Sequence, residues 1–186
     1  MRCFAVSLLL ALFAGCAATP APTAKTAKGI PMNGYANTRV DFGIVVSDIN
    51  KAAEFYKTAL GLVEVEGFDV PVDMGGNSGL SDNQPFHVRV FKVADDENAT
   101  QVKIMQFKDA PGKRVDNAFI HSSYGVRYLS FYVSDMTASV GRARKAGAVI
   151  LAKGPVELPK DLGSGVYLAL VRDPDGNLIE LLGPKK

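Results

Sequence analysis

The chain has 186 residues, 47% hydrophobic and 22% charged, enough to bury the core of one or two ordinary globular domains. Its formal net charge of +2 comes from 21 basic and 19 acidic residues mixed along the body, so nothing in the electrostatics points to nucleic acid and no like-charge run marks an interaction tail. A nucleophile elbow, a phosphate-cradling glycine loop and a zinc-spaced set of cysteines and histidines are all missing from the sequence.

Residues 1–15 read as a secretory signal. Arg2 supplies a positive start, Phe4 to Phe13 is an uncharged apolar stretch, and small residues lead into Cys16. The stretch falls far short of the roughly 20 residues needed to cross a bilayer. Phe13-Ala14-Gly15-Cys16 resembles the bacterial lipobox, with Phe13 where an aliphatic residue is usual. The resemblance implies cleavage before Cys16 and acylation of its thiol. Cysteine usage agrees, because Cys3 lies inside the signal and leaves Cys16 without a disulfide partner. Ala17, rather than an acid, follows the cysteine, which by the same resemblance implies the outer membrane, facing the periplasm. Residues 16–37 are then a lipidated cysteine and a flexible linker of Ala, Thr, Pro, Lys and Gly, too poor in large apolar side chains to fold.

Beyond the linker the chain says one thing twice. Residues 40–46 alternate, with Phe42, Ile44 and Val46 on one face and Asp41, Gly43 and Val45 on the other. Asp48 is an N-cap for an amphipathic helix carrying Ala52, Phe55, Tyr56, Ala59 and Leu60, and Gly61 stops it. A strand near 62–67 leads into a Gly/Asp/Asn/Pro-rich loop over about 69–85, expected to be either a lid over a site or disordered. Strands 86–93 and 101–107 follow, joined by the acidic turn Asp95-Asp96-Glu97-Asn98. The second module repeats this order. Strand 127–133 leads to the cap Asp135, a helix to about Ala146, the stop Gly147 and strands at 149–151, 166–172 and 178–182. Asp173-Pro174-Asp175-Gly176 is the turn between the last two. The expected fold is α+β, with two βαβββ modules forming a cup-shaped mixed sheet whose concave face is a cleft.

At this point the pattern resembles the vicinal oxygen chelate superfamily, which includes glyoxalase I, extradiol dioxygenases and bleomycin resistance proteins. The matching residues are Val45-Val46-Ser47-Asp48, Ala53-Glu54-Phe55-Tyr56, Leu60-Gly61-Leu62, Tyr132-Val133-Ser134-Asp135 and Arg172-Asp173-Pro174-Asp175-Gly176-Asn177-Leu178-Ile179-Glu180-Leu181. The resemblance implies a glyoxalase-like domain over 38–184, with modules 38–108 and 123–184. It also implies four strand residues, two from each module and typically His and Glu, converging on a divalent metal.

Carried over one by one, those positions are Asp41, Lys103, Tyr128 and Glu180. A neutral tyrosine is a poor ligand and a protonated lysine has no lone pair. Lys103 would also repel a dication by about 8 kcal/mol at 4 Å and an effective dielectric of 20. The expectation is therefore that the Lys103 ammonium takes the metal's place between Asp41 and Glu180, with the Tyr128 hydroxyl completing the network. No metal, cofactor or catalytic residue is assigned. Met105, Phe107, Tyr132 and Leu182 would line the cleft, and Arg89, sharing a strand face with His87, would hold an anionic group. His121 lies in the connection between the modules, at the expected mouth of the cleft, and reads as structural.

Two functions fit. One is an envelope-anchored module that binds a small organic molecule without metal or turnover. The other is a metal-dependent lyase, isomerase or dioxygenase with altered ligands, in which Asp41 and Glu180 hold Mg²⁺ or Mn²⁺ through oxygen. The expected partners are a small-molecule ligand, the membrane through the lipid anchor, and a second copy in a homodimer; relatives pair modules both within and between chains.

Overall fold

The computed structural model describes residues 34–186, so the expected signal, Cys16 and the linker as far as residue 33 lie outside the described residues. In the first module, β1 (Phe42–Val45) turns Phe42 and Ile44 into the core. Asp48 then starts α1 (Ile49–Thr58), its carboxylate accepting the Asn50 and Lys51 N–H groups at 3.0 Å each. Helical spacing buries Ala52, Ala53, Phe55 and Tyr56 on one side of α1. Gly61 stops the helix at φ +76°, a left-handed conformation that disfavours any residue with a Cβ. β2 (Val63–Val70), α2 (Val72–Ser78), β3 (Phe86–Lys92) and β4 (Gln101–Met105) complete the module.

The second module runs β5 (Tyr128–Tyr132), α3 (Met136–Lys145), β6 (Val156–Glu157), α4 (Lys160–Gly163), β7 (Val166–Arg172) and β8 (Leu178–Pro184). Asp135 caps α3 by accepting the Ala138 N–H at 3.0 Å. The two sheets have matching orders, β1-β4-β3-β2 and β5-β8-β7-β6. In each, the first strand runs parallel to the last and the remaining pairs are antiparallel. The mixed α+β architecture is the expected one. The mixed sheet expected of the two modules is built as two four-stranded sheets, with β1 and β5 each at an edge.

The helices α1 and α3 cover one side. A shared core takes Tyr56, Phe91, Val102 and Ile104 from the first module and Met136, Val171, Ile179 and Leu181 from the second. Fully burying a side chain of this size stabilises the fold by about 1.5–3 kcal/mol. Arg142 of α3 donates to the Ala59 and Leu60 carbonyls at 3.3 and 3.0 Å, tying α3 to the end of α1. With Phe42, Ile44, Val102 and Ile104 committed to that side, the intervening residues of β1 and β4 face the other way.

Two local expectations are corrected. The 69–85 segment is not a bare loop: β2 runs to Val70, and Pro71 leads into α2, whose first turn closes through the Gly75 N–H on the Pro71 carbonyl at 2.9 Å. The Gly75-Gly76 pair serves packing there, since a Cβ at either position would collide with Ser81 or Asn83. In the second module, 149–151 supplies only an isolated bridge between Ile150 and Val171, and the edge strand is β6. Between them Ala152 takes φ +50° and Pro155 has no N–H for a ladder, so the strand cannot run through.

Candidate functional site on the concave faces

Alternation places Asp41 beside Gly43 and Val45, on the side of β1 away from the helices, and places Gln101, Lys103 and Met105 on the same side of β4. The parallel register sets Gly43 against Lys103. Gly43 has no side chain there, and Lys103 Nζ reaches Asp41 Oδ2 at 2.9 Å. The other oxygen, Oδ1, meets Arg39 Nε at 3.1 Å and accepts the Gln101 N–H at 3.2 Å. Both carboxylate oxygens are therefore occupied. Burial on its own would raise the Asp41 pKa, but the Lys103 and Gln101 hydrogen bonds and the two cationic charges outweigh it, leaving the carboxyl below its ordinary value.

In the second sheet, Leu129, Ile179 and Leu181 join the core, so Tyr128, Ser130 and Tyr132 of β5 and Leu178, Glu180 and Leu182 of β8 share the opposite face. Glu180 stands in register between Ser130 and Leu170. Ser130 Oγ donates to its Oε1 at 2.9 Å. Between the edge strands β1 and β5 lies a groove of about 440 Å³, lined by Asp41, Gly43, Val45, Val126, Tyr128 and Leu178 among others.

The structure brings Asp41 and Lys103 together as expected, and it corrects the rest of the network. Among the described residues, Glu180 has no ion-pair partner: Lys103 turns to Asp41, and the second cation on Asp41 is Arg39. The Tyr128 hydroxyl makes no hydrogen bond to either carboxylate. Tyr132 is 85% exposed on the same strand.

Arg89 does not face the cleft. It sits opposite the buried Ile104, grips Glu64 with two bonds of 2.6 and 2.9 Å, and donates to Asn50 of α1 at 3.1 Å. The Arg89 hydrogen bond, against the opposing effect of burial, holds the Glu64 carboxyl below its usual value. His87 shares that face and pairs with Asp69 at 2.7 Å, while His121 stacks on Phe119 in the connection. Sequence reading missed Arg39 and Ser130. Their signal was alternation, since Arg39 lies two residues from Asp41 and Ser130 two from Tyr128 along extended chain.

A model of the Glyoxalase/Bleomycin resistance protein/Dioxygenase superfamily matches residues 38–181. The chain belongs to this superfamily. Among solved structures it is similar to a glyoxalase family protein from Bacillus cereus, with 22% identity and TM-score 0.67 over 84% of this chain and 100% of that one. It is also similar to the trypanothione-dependent glyoxalase I of Leishmania major, with 20% identity and TM-score 0.53 over 77% and 84% of the two chains. A glyoxalase I mutant from Zea mays aligns with 15% identity and TM-score 0.57 over 78% of this chain and 44% of that one. At these identities the likeness is one of fold. No curated protein matches the chain by sequence.

The four carried-over residues do not suit the metal that the superfamily resemblance implies. Among the described residues no three His, Cys, Asp or Glu side chains gather as a donor set. Of the four carried-over positions only two are carboxylates, and one of those already meets an ammonium, a guanidinium and an amide.

Proposed function

We propose that the chain is a lipid-anchored domain of the cell envelope, held at Cys16, that captures a small organic molecule in its concave cleft without a metal and without turning it over. The observation that carries this reading is the Lys103–Asp41 contact at 2.9 Å. A permanent cation inside the cleft neutralises the carboxylate that would otherwise recruit a divalent ion. What remains for a ligand is an apolar wall with few polar anchors: Met105, Tyr128, Tyr132 and Leu182, with Glu180 and Ser130 between them. Glu180 has no cation of its own among the described residues, so a ligand carrying an ammonium or a hydroxyl donor fits best. The tether of residues 16–37 would hold the domain off the membrane, and acylation of Cys16 would supply the stable anchor that one chain alone does not give.

Native mass spectrometry of the protein purified with its own N-terminus tests the reading. The expected spectrum carries acyl chains on Cys16 and an organic adduct on the folded domain, with no metal increment. An unmodified Cys16 would overturn the anchoring, and a stoichiometric transition metal would overturn the metal-free cleft.

A further inference from the structure

Beside the concave-face groove, the ends of β1 and β4 meet the connection between the modules around a second cavity of about 460 Å³. Its charged lining is mostly basic. Lys108, Lys113 and Arg114 line it from the connection, and Asp175 is the one carboxylate among the lining residues. Asp175 is already matched: its Oδ2 accepts the Ser47 N–H at 3.0 Å, its Oδ1 lies 3.6 Å from Arg114 Nη2, and its carbonyl accepts from Arg114 at 3.3 Å. Lys108 and Lys113 have no ion-pair or hydrogen-bond partner for their ammonium groups among the described residues. The remaining wall is apolar, from Val45, Phe107, Pro111 and Val115, and half of Val45 and 56% of Val115 stay open to solvent.

The cavity is also held in shape. The connection is clamped on its far side by Arg172, which donates to the Asn117 carbonyl at 2.7 Å and the Ala118 carbonyl at 3.0 Å, and by Arg127, which donates to the Asp116 carbonyl at 2.8 Å. At its floor Gln106 spans from the Ser47 carbonyl at 2.6 Å to the Ile49 N–H at 3.3 Å. A concave, fixed pocket with surplus positive charge and an apolar wall has the chemistry of an anion receptor.

We propose that this cavity binds an organic anion, a carboxylate or phosphate on an apolar body, with Lys108 and Lys113 taking the charged head and Val45, Phe107 and Val115 the body. The site adjoins the Asp41–Lys103 groove and shares Val45 and Asn177 with it, but its lining includes none of Asp41, Lys103 and Tyr128. The test is a titration of the full chain followed by backbone amide NMR, with phenyl phosphate and benzoate as probes and inorganic phosphate and benzyl alcohol as controls. The expected result is saturable shifts at Phe107, Lys113 and Val115 with at least one aromatic anion, and weaker binding of both controls. A Lys108→Ala/Lys113→Ala double variant should lose at least tenfold in affinity, and Lys103→Met should bind as the unaltered chain does. The proposal is overturned if neither aromatic anion saturates, if the double variant binds equally well, or if the shifts fall on β5 and β8 instead. Inorganic phosphate binding as tightly as phenyl phosphate would overturn the apolar part of the site.

Discussion

Tyr56 of the first module donates its hydroxyl to Oδ2 of Asp173, in the turn that closes the second, at 3.1 Å. Asp173 is 5% exposed and also accepts from the Asp175 and Asn177 N–H groups and from the Asn177 side chain. Removing one donor to a buried carboxylate costs about 1–3 kcal/mol, so Tyr56→Phe should lower unfolding free energy by that amount in urea melts. The Asp173-Pro174-Asp175-Gly176 turn is thus both a hairpin turn and the joint between modules. Asp173→Ala, which leaves four donors without an acceptor, should cost more than Tyr56→Phe.

The same contact sets an alkaline limit. Burial, then the Asp173 carboxylate, raises the Tyr56 pKa well above its ordinary value. A group whose folded pKa is raised stabilises the fold fully below its unfolded pKa, here about 10. That stability drains as pH climbs from there toward the folded pKa. Thermal melts from pH 8 to 11 should show a fall beginning near pH 10 that Tyr56→Phe lacks.

Lys103→Met should destabilise the protein by about 1–2 kcal/mol near pH 7, less than a fully buried pair would lose because Arg39 and Gln101 still hold Asp41. Asp41 has a depressed folded pKa, so its contribution is complete above the unfolded value of about 3.9 and is lost as pH falls through the lower folded pKa. In the variant that pKa rises and the acid-limb loss becomes shallower. Glu64 is lowered in the same direction by Arg89, so some acid dependence stays in the variant. Denaturant midpoints between pH 2 and 5 measure both slopes.

Arg89→Ala separates the helix side of the first sheet from the cleft side. Its two bonds to Glu64 are partly shielded, with both side chains under a third exposed. Their loss should cost about 1–2 kcal/mol while leaving the affinity for a cleft ligand unchanged. A matching loss of ligand affinity, measured by calorimetry with the co-purified molecule, would return Arg89 to the binding face.

The fold was legible because the evidence for it is local. Alternation in β1 and β5, the caps Asp48 and Asp135, and the stops Gly61 and Gly147 each depend on a few neighbouring residues, and they occur twice. The site was legible in part. The face of Asp41 and Lys103 follows from strand parity, but the partner that Lys103 selects depends on how two sheets sit across a groove, which no local rule encodes. Arg89 was misplaced because parity assigns residues to two faces without saying which is the cleft, and only the packing of Phe91 beneath α1 decides that. In the second module, Pro155 and the turn at Ala152 moved the edge strand past the apolar run at 149–151.

The central claim is that the cleft cation is the side chain of Lys103. Elemental analysis of the purified full chain, followed by calorimetric titration with Zn²⁺ and Mn²⁺, tests it most directly. The account predicts no stoichiometric metal and no saturable binding to the unaltered protein. One tightly held transition metal per chain, lost on Asp41→Ala and on Glu180→Ala, would contradict it.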